Sequence, residues 1–285
     1  MQICRSVNDI RLAVRRYRDE GGRIGLVPTM GALHEGHMAL VREARQSHSH
    51  VVATLFVNPT QFGEAADLDN YPRTEARDIE MLEDAGVAAL FIPEAHHIYP
   101  HGDETIVETT RLANMLHGQT RPGHYRGVTT VVARLFNIVL PDTAFFGEKD
   151  YQQLAVIRRM TRDLHFPLEV RGVPTVRAED GLSLSSRNAR LSPEDRAAAP
   201  VLKRALDAGR AVALPGVPVE DIADVIRGTV EAEPRAALKG LDIVDPETFH
   251  PATGPMQFPL GVMISAQFGT GDDAVLLIDQ MEYPL

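Results

Sequence analysis

Cysteine is almost absent from this sequence, because Cys4 is the only one in 285 residues. A disulfide within one chain therefore cannot form, and a cysteine-based metal cluster is excluded for the same reason. Long apolar runs are also missing, since no stretch approaches the roughly 18 apolar residues that cross a bilayer. The first residues lack the basic start and apolar run of a secretory signal. We therefore expect a cytoplasmic protein that does not enter a membrane.

Positive charge is in short supply as well. The chain carries 29 lysine and arginine residues against 39 aspartate and glutamate residues, which gives a net charge of −10. Proteins that grip nucleic acid usually show a basic balance or patch, so nucleic-acid binding is not expected. A local basic pocket for a phosphorylated small molecule is compatible with this charge. The chain is long enough for one large or two modest domains, each with its own core.

Short apolar runs alternate with helical periodicity up to about residue 175. Ser6 can cap a helix that carries Ile10 and Val14, and Thr74 can open another that ends at Gly86. Further helices are expected around 40–41, over 128–140 and over 154–160, and strands at 24–27, 51–57, 87–92, 144–146 and 168–173. This alternation predicts an α/β fold with a Rossmann-like, doubly wound parallel sheet.

The rhythm changes after about Arg190. Two helices are expected next, one over 193–213 and one over 219–232, followed by strands at 241–244, 260–266 and 274–278. Two helices followed by three strands predict a smaller α+β domain. We therefore expect two domains, one over 1–175 and one over 176–285.

The segment Pro-Thr-Met-Gly-Ala-Leu-His-Glu-Gly-His, residues 28–37, follows the first buried strand. Ligands of open α/β sheets bind outside the carboxyl ends of the strands, and Gly31 and Gly36 allow close backbone approach. His37 is expected to begin a helix whose N-terminus favours an anion, and His34 and His37 can both face that anion. Two alternatives are ordinary loop histidines and a metal site. The metal site lacks a third ligand at a familiar spacing.

Three more polar segments follow later in the chain. Asn58 and Gln61 come after the second strand and can offer neutral amides to a hydroxyl or carboxylate. Lys149 follows the strand at 144–146 and can reach phosphates, and a loop over 177–188 contains serines and Arg187. Each segment alone is also compatible with an ordinary turn. Together they lack a nucleophile beside a base and favour phosphoryl-type transfer by positioning and cation contacts.

The four segments carry a family resemblance. The pattern His34-Glu35-Gly36-His37 resembles the adenylate-forming nucleotidyltransferase superfamily. Six stretches in order (27–37, 56–62, 71–74, 121–127, 145–154 and 172–188) resemble the pantothenate synthetase (pantoate–β-alanine ligase) family. The resemblance is strong over about residues 1–190 and weaker beyond.

The resemblance implies a two-step ligase of the coenzyme A pathway. ATP and (R)-pantoate would give pantoyl-adenylate and pyrophosphate, and β-alanine would then displace AMP to give pantothenate. Residues 1–175 would bind ATP and pantoate, and residues 176–285 would form a lid. The family further implies Mg²⁺ as the partner of ATP rather than as an ion caged by the protein, and a homodimer built largely from the N-terminal domain.

The resemblance also implies roles for particular residues. The catalytic group would comprise His37 (the usual proton donor), His34, Lys149 and Arg187. Pantoate would be held by Gln61 and Gln153, with Asn58 nearby and Gln61 also facing β-alanine. The ATP site would contain Met30, Gly31, Ala32, Leu33, His34, Glu35, Gly36, His37, Gly147, Glu148, Lys149, Asp150, Val176, Leu184, Ser185, Ser186 and Arg187.

The sequence departs from the family pattern at three places, and two competing functions remain to be compared with it. Thr60 stands where the family commonly has methionine, Ser183 stands where alanine is usual, and 262–271 lacks the expected tryptophan. One competitor is a nucleotidyltransferase that moves AMP onto a phosphate ester, which should lack the paired glutamines and the serine-rich loop. Another is a catalytically silent nucleotide-binding regulator, which has no need of His37, Lys149 and Arg187.

Overall fold

The computed structural model describes residues 1–63, 68–271 and 274–285, and the chain divides into two units. The first unit comprises residues 1–148 and 152–174, and the second comprises residues 149–151 and 175–285. A six-stranded parallel sheet lies in the first unit and a three-stranded antiparallel sheet in the second. The predicted fold class, a Rossmann-like sheet domain followed by a smaller α+β domain, is confirmed.

The sheet of the first unit has the strand order β1-β4-β3-β2-β5-β6. Its strands are β1 (Gln2–Cys4), β2 (Ile24–Thr29), β3 (His50–Leu55), β4 (Ala89–Phe91), β5 (Thr143–Gly147) and β6 (Glu169–Val173). The chain moves outward from β2 through β3 and β4 on one side, and it continues through β5 and β6 on the other. The strand order reverses between β2 and β5, and ligands of such sheets bind at the carboxyl ends beside this reversal.

Apolar side chains alternate between the two faces of this sheet. Leu26 and Val52 belong to one core cluster, whereas Val27, Val51 and Ala53 belong to another. Successive residues of a strand point to opposite faces, so both faces are covered, as a parallel sheet requires. The helices of this part of the chain are α1 (Val7–Asp19), α2 (Glu35–Ser47), α3 (Glu75–Asp84), α4 (Ala95–Ile98), α5 (His117–Thr120), α6 (His124–Val139) and α7 (Tyr151–Asp163).

The second unit packs helices against its own sheet. Its strands, in the order β7-β8-β9, are β7 (Ala236–Val244), β8 (Leu260–Phe268) and β9 (Val275–Tyr283). Its helices are α8 (Pro193–Ala198), α9 (Val201–Val212) and α10 (Val219–Glu231). Leu202, Leu206, Ile222 and Ile226 are fully buried in a core that they share with the sheet. The unit therefore has a hydrophobic core of its own.

One expectation about the helices was wrong. A single helix was expected over 193–213, but the structure has α8 and α9, separated at Pro200. Proline has no N–H for an intrahelical bond and its ring clashes with the preceding turn, so the helix is interrupted there. The strand β1 was not expected, because three residues carry little periodicity and pair with β4, far along the chain. Within the described residues, no helix is long and apolar enough to cross a membrane.

Candidate active site

The turn after β2 is held by a buried carboxylate. Asp78 on α3 is only 2% exposed and accepts hydrogen bonds from the backbone N–H groups of Ala32 and Leu33, both at 2.9 Å. Gly31 and Ala32 have positive φ values of 85° and 51°, a conformation that costs free energy for a residue with a Cβ atom. The carboxylate offsets that cost and fixes the path of the turn that includes Met30.

Asp78 was not among the predicted site residues. Its signal in the sequence was a carboxylate on the apolar face of α3, four residues before Leu82, which is fully buried. A carboxylate on such a face needs partners, and here they are the Thr74 hydroxyl at 3.1 Å and backbone amides about 45 residues earlier in the chain.

The two predicted histidines cap the start of α2. The helix begins at Glu35, two residues earlier than expected, so His34 is the N-cap and His37 lies in the first turn. The Nδ1 atom of His34 accepts from the Gly36 N–H at 3.1 Å, and the Nδ1 atom of His37 accepts from the His34 N–H at 3.3 Å. A backbone N–H can only donate, so each neutral ring carries its hydrogen on Nε2.

The rings of His34 and His37 lie side by side, with centroids 4.2 Å apart. Because the helix cap fixes their Nδ1 atoms as acceptors, both imidazoles are Nε2–H donors even when neutral. Two such donors together can bind an anionic group and stabilise charge that develops on it.

The residues after β3 form a short 3₁₀ helix, Pro59–Gln61, packed against α6. A Cβ atom on Gly127 of α6 would lie 2.6 Å from the Thr60 carbonyl oxygen and 2.7 Å from the Gln61 nitrogen, so only glycine fits there. Asn58 and Gln61 are both buried, and the Asn58 Nδ2 atom donates to Gln61 Oε1 at 2.9 Å. The Gln61 Nε2 atom lies 3.2 Å from the sulfur of Met30. The structure thus brings the segments after β2 and β3 together.

Two adjacent glutamines open α7 and differ in their surroundings. Gln152 is 3% exposed and donates to the carbonyl oxygens of Leu112 and Met115 at 2.9 and 2.8 Å. Gln153, the predicted pantoate ligand, is half-buried. Gln152 therefore has a structural role in the first unit, and Gln153 is the glutamine whose side chain is more accessible.

The end of β5 leads into the segment predicted to contact phosphates. Gly147 is the last residue of β5, and the Glu148 N–H donates to the carbonyl oxygen of Val173 at 2.9 Å. Lys149 and Asp150 belong to the second unit, where their charged groups lie 3.9 Å apart. Tyr151 follows and donates to Glu282 of β9 at 2.6 Å, which anchors this segment within the second unit.

The serine-rich loop of the second unit is a small hairpin that leads into a 3₁₀ helix, Ser186–Arg190. The Leu184 N–H donates to the Val176 carbonyl oxygen at 3.0 Å, and Ser185 caps the 3₁₀ helix by accepting from the Arg187 N–H. Arg187 itself is exposed. The predicted phosphate contacts thus divide between the units, with the histidines in the first and Lys149 and Arg187 in the second.

A family model describes this combination of fold and motifs. The model of the pantoate-beta-alanine ligase family matches residues 2–282 of the chain. The chain belongs to the pantoate-beta-alanine ligase family. Curated relatives agree: the pantothenate synthetase of Bartonella henselae is 44% identical over 98% of both chains. That of Stutzerimonas stutzeri is 57% identical over 73% of both.

Solved structures of this ligase family share the fold. Pantothenate synthetase from Thermus thermophilus is 46% identical, covers 100% of both chains and superimposes with a TM-score of 0.92. The pantoate-beta-alanine ligase of Francisella tularensis, complexed with beta-gamma ATP and beta-alanine, is 32% identical with a TM-score of 0.78. It covers 99% of this chain and 97% of its own. The family resemblance inferred from the motifs is confirmed.

Among the residues that the structure describes, no group of three or more histidine, cysteine, aspartate or glutamate side chains is arranged to hold a metal ion.

Proposed function

We propose that the chain condenses (R)-pantoate with β-alanine through a pantoyl-adenylate, in the two steps expected of its family. A pantoate carboxylate oxygen attacks the α-phosphorus of ATP, and the bond to the bridging oxygen breaks to release pyrophosphate. The neutral amine of β-alanine then attacks the acyl carbon, the bond to AMP breaks, and the amine loses a proton. The family match over residues 2–282 is the observation that carries this proposal.

Within this proposal, the first step needs donors where negative charge grows. His34 and His37 supply Nε2–H groups, whose hydrogens are placed there by the helix cap. Lys149 and Arg187 supply cations for the phosphates. The rest of the proposed ATP site is the turn from Met30 to Leu33 with Glu35 and Gly36, the segment 147–150, Val176 and residues 184–186.

Pantoate is proposed to lie next to the two histidines. Gln61 and Gln153 hold pantoate through their amides, Asn58 lies beside Gln61, and Gln61 also faces β-alanine. The short distance between Gln61 Nε2 and the Met30 sulfur, 3.2 Å, supports placing pantoate beside the turn that binds ATP.

The remaining parts of the proposal follow from the chemistry of ATP and from the family. Mg²⁺ enters with ATP, since this ion prefers phosphate oxygens and keeps several water ligands. The proposed phosphate contacts (imidazole N–H groups, Lys149 and Arg187) bind anions rather than metal ions, which fits a metal carried by the nucleotide. We further propose that residues 1–175 bind both substrates of the first step, that 176–285 serve as a lid, and that the enzyme acts as a homodimer in the cytoplasm.

Isotope exchange tests the order of the two steps. Labelled pyrophosphate should exchange into ATP when pantoate alone is added, because adenylation is reversible and does not need the amine. Reactions without any acid, or with β-alanine in place of pantoate, are the controls and should show no exchange. Strict dependence of exchange on β-alanine would contradict the adenylate. Failure to form pantothenate from all three substrates would contradict the function itself.

A further inference from the structure

Both the nitrogen and the oxygen of the Asn58 side-chain amide form hydrogen bonds with other protein groups. It is 1% exposed, and its Nδ2 atom donates to the Gly127 carbonyl oxygen at 3.1 Å and to Gln61 Oε1 at 2.9 Å. Its Oδ1 atom accepts from the Tyr99 hydroxyl at 2.6 Å, from the Thr60 hydroxyl at 3.0 Å and from the Thr60 N–H at 3.4 Å. The two hydroxyls are themselves 2.9 Å apart.

Two of these partners fix which end of the Asn58 amide is oxygen and which is nitrogen. The Gly127 carbonyl can only accept, and the Thr60 N–H can only donate. A flipped Asn58 amide would place its oxygen against the Gly127 carbonyl oxygen and its nitrogen against the Thr60 N–H, so neither hydrogen bond could form. The Nδ2 atom of Asn58 therefore donates to Gln61, and the Gln61 amide must accept this hydrogen bond through its Oε1 atom. The remaining polar atom of the Gln61 amide is its nitrogen, and its hydrogen-bond partner among the described residues is the weakly accepting Met30 sulfur.

We propose that Tyr99 and Thr60 are positioning residues that lock Asn58, so that Gln61 presents only N–H donors to the substrate. This inference rests on the proposed function for the identity of that substrate. It specifies the group that Gln61 recognises, namely an acceptor oxygen of pantoate (a carboxylate oxygen or the lone pair of a hydroxyl). A nitrogen donor at the same place would meet another donor and be rejected, since an unpaired buried polar group is costly.

The surroundings of Tyr99 suit this role. The Arg134 guanidinium lies 4.5 Å from the centre of the Tyr99 ring and donates to the carbonyl oxygen of Ile98 at 2.6 Å, which holds the ring beside Asn58. Burial raises the pKa of the Tyr99 phenol above its ordinary value. The phenol therefore keeps its proton and remains a hydrogen-bond donor across the neutral range.

The two hydroxyls are partly redundant. After loss of either one, the Oδ1 atom of Asn58 keeps the other hydroxyl as a short-range partner. After loss of both, the partner left to Oδ1 within the described part of the chain is the Thr60 N–H at 3.4 Å, near the limit of a hydrogen bond. The Asn58 amide is then free to rotate and Gln61 with it. The rise in KM for pantoate after removal of both hydroxyls should therefore exceed the product of the rises after removal of each one.

Steady-state kinetics of Tyr99→Phe, Thr60→Val and the double variant test the inference. Each single change should raise KM for pantoate by roughly threefold or less, and the double change by about 10- to 100-fold, the range for a disrupted buried hydrogen-bond pair. KM for ATP should stay within about twofold in each variant. Thr60→Ser in the Tyr99→Phe background keeps the second hydroxyl and should prevent the large loss.

Tyr17→Phe is the matched control. It also removes a phenol that donates to a carbonyl oxygen, that of Ala88 at 3.1 Å, but on α1. It should leave KM for pantoate unchanged. If the double variant does not fold, Asn58→Asp is the second test: it replaces the donor to Gln61 with an acceptor and should also raise KM for pantoate selectively.

An unchanged KM for pantoate in the folded double variant would overturn the inference, and so would an equal rise in KM for ATP. Either result would still leave wild-type pantothenate formation in place. Absence of that activity in the wild-type chain would instead contradict the proposed function.

Discussion

His37 has two ring nitrogens with separable tasks. Its Nδ1 atom accepts the His34 N–H and belongs to the helix cap, while its Nε2 atom carries the hydrogen proposed to face the phosphates. An asparagine at this position can place an oxygen near Nδ1, and a glutamine can place an N–H near Nε2. His37→Asn therefore removes the donor and keeps the cap, whereas His37→Gln removes the cap and keeps a donor.

His37→Asn should lower the rate of adenylate formation by about 10²- to 10³-fold, the usual effect of losing a donor that acts on developing charge. His37→Gln should keep more of that rate, although it loses a cap hydrogen bond, which typically stabilises a protein by about 1 kcal/mol. Both variants should turn over synthetic pantoyl-adenylate with β-alanine at a much less reduced rate, because that step releases no pyrophosphate.

Rapid-quench measurement of each half-reaction separates these effects, and thermal unfolding reports the loss of the cap. His96→Ala, an exposed histidine on α4, is the control. Faster adenylation by His37→Asn than by His37→Gln would assign His37 to the cap alone. An equal loss in both half-reactions would mean that His37 shapes the pocket in general.

Among the elements, the hairpin before Ser185 depends on one ion pair. Arg177 donates to both oxygens of Asp279 on β9, at 2.6 and 2.9 Å, and also to the carbonyl oxygen of Gly181 at 3.0 Å. The Asp279 side chain is fully buried and that of Arg177 is 19% exposed. The pair therefore ties the hairpin to the sheet of the second unit and sets where Leu184 and Ser185 lie.

Arg177→Met should reduce the free energy of unfolding by about 3–5 kcal/mol, because it leaves a buried carboxylate without its partner. Adding Asp279→Leu should restore much of the loss, since no charge is then left unpaired. Arg196→Met is the matched control, because its pair with Asp180 is exposed on both sides and such pairs contribute about 1 kcal/mol or less. Urea unfolding measures all three, and a double variant as unstable as Arg177→Met would contradict this account.

Elements with local signals were predictable. Ser6 caps α1, with its hydroxyl accepting from the Asp9 N–H, and Thr74 is the residue before α3. The interruption at Pro200 also had a local signal that periodicity outweighed, since proline inside a helical pattern breaks the helix. The strand β1 had none, because its pairing with β4 joins residues far apart in sequence.

At the scale of the whole molecule, the order of motifs along the chain was enough to predict the family and the fold. The hydrogen bonds that hold the proposed site together could not be predicted from the order of the motifs. Asp78 binds amides about 45 residues earlier, and Asn58 donates to a carbonyl 69 residues later. Such partners depend on how the sheet brings distant segments together, so a single sequence shows the residue types but not the pairings.

Light scattering tests the proposed homodimer. The expected mass at about micromolar concentration is twice the 31.3 kDa of one chain, because the family resemblance implies a homodimer. Dilution over a hundredfold range is the control for weak association. A single species with the mass of one chain throughout would contradict the dimer.

The carboxylate of Asp78 has a consequence for how the first unit opens. The amide hydrogens of Ala32 and Leu33 sit in a turn, where amides usually exchange with solvent quickly, yet both are held by a side chain that is 2% exposed. They can exchange with deuterium only when α3 separates from the turn. Their exchange rates therefore measure how often the edge of the proposed ATP site comes apart, and bound nucleotide should slow them further if it stabilises the closed turn.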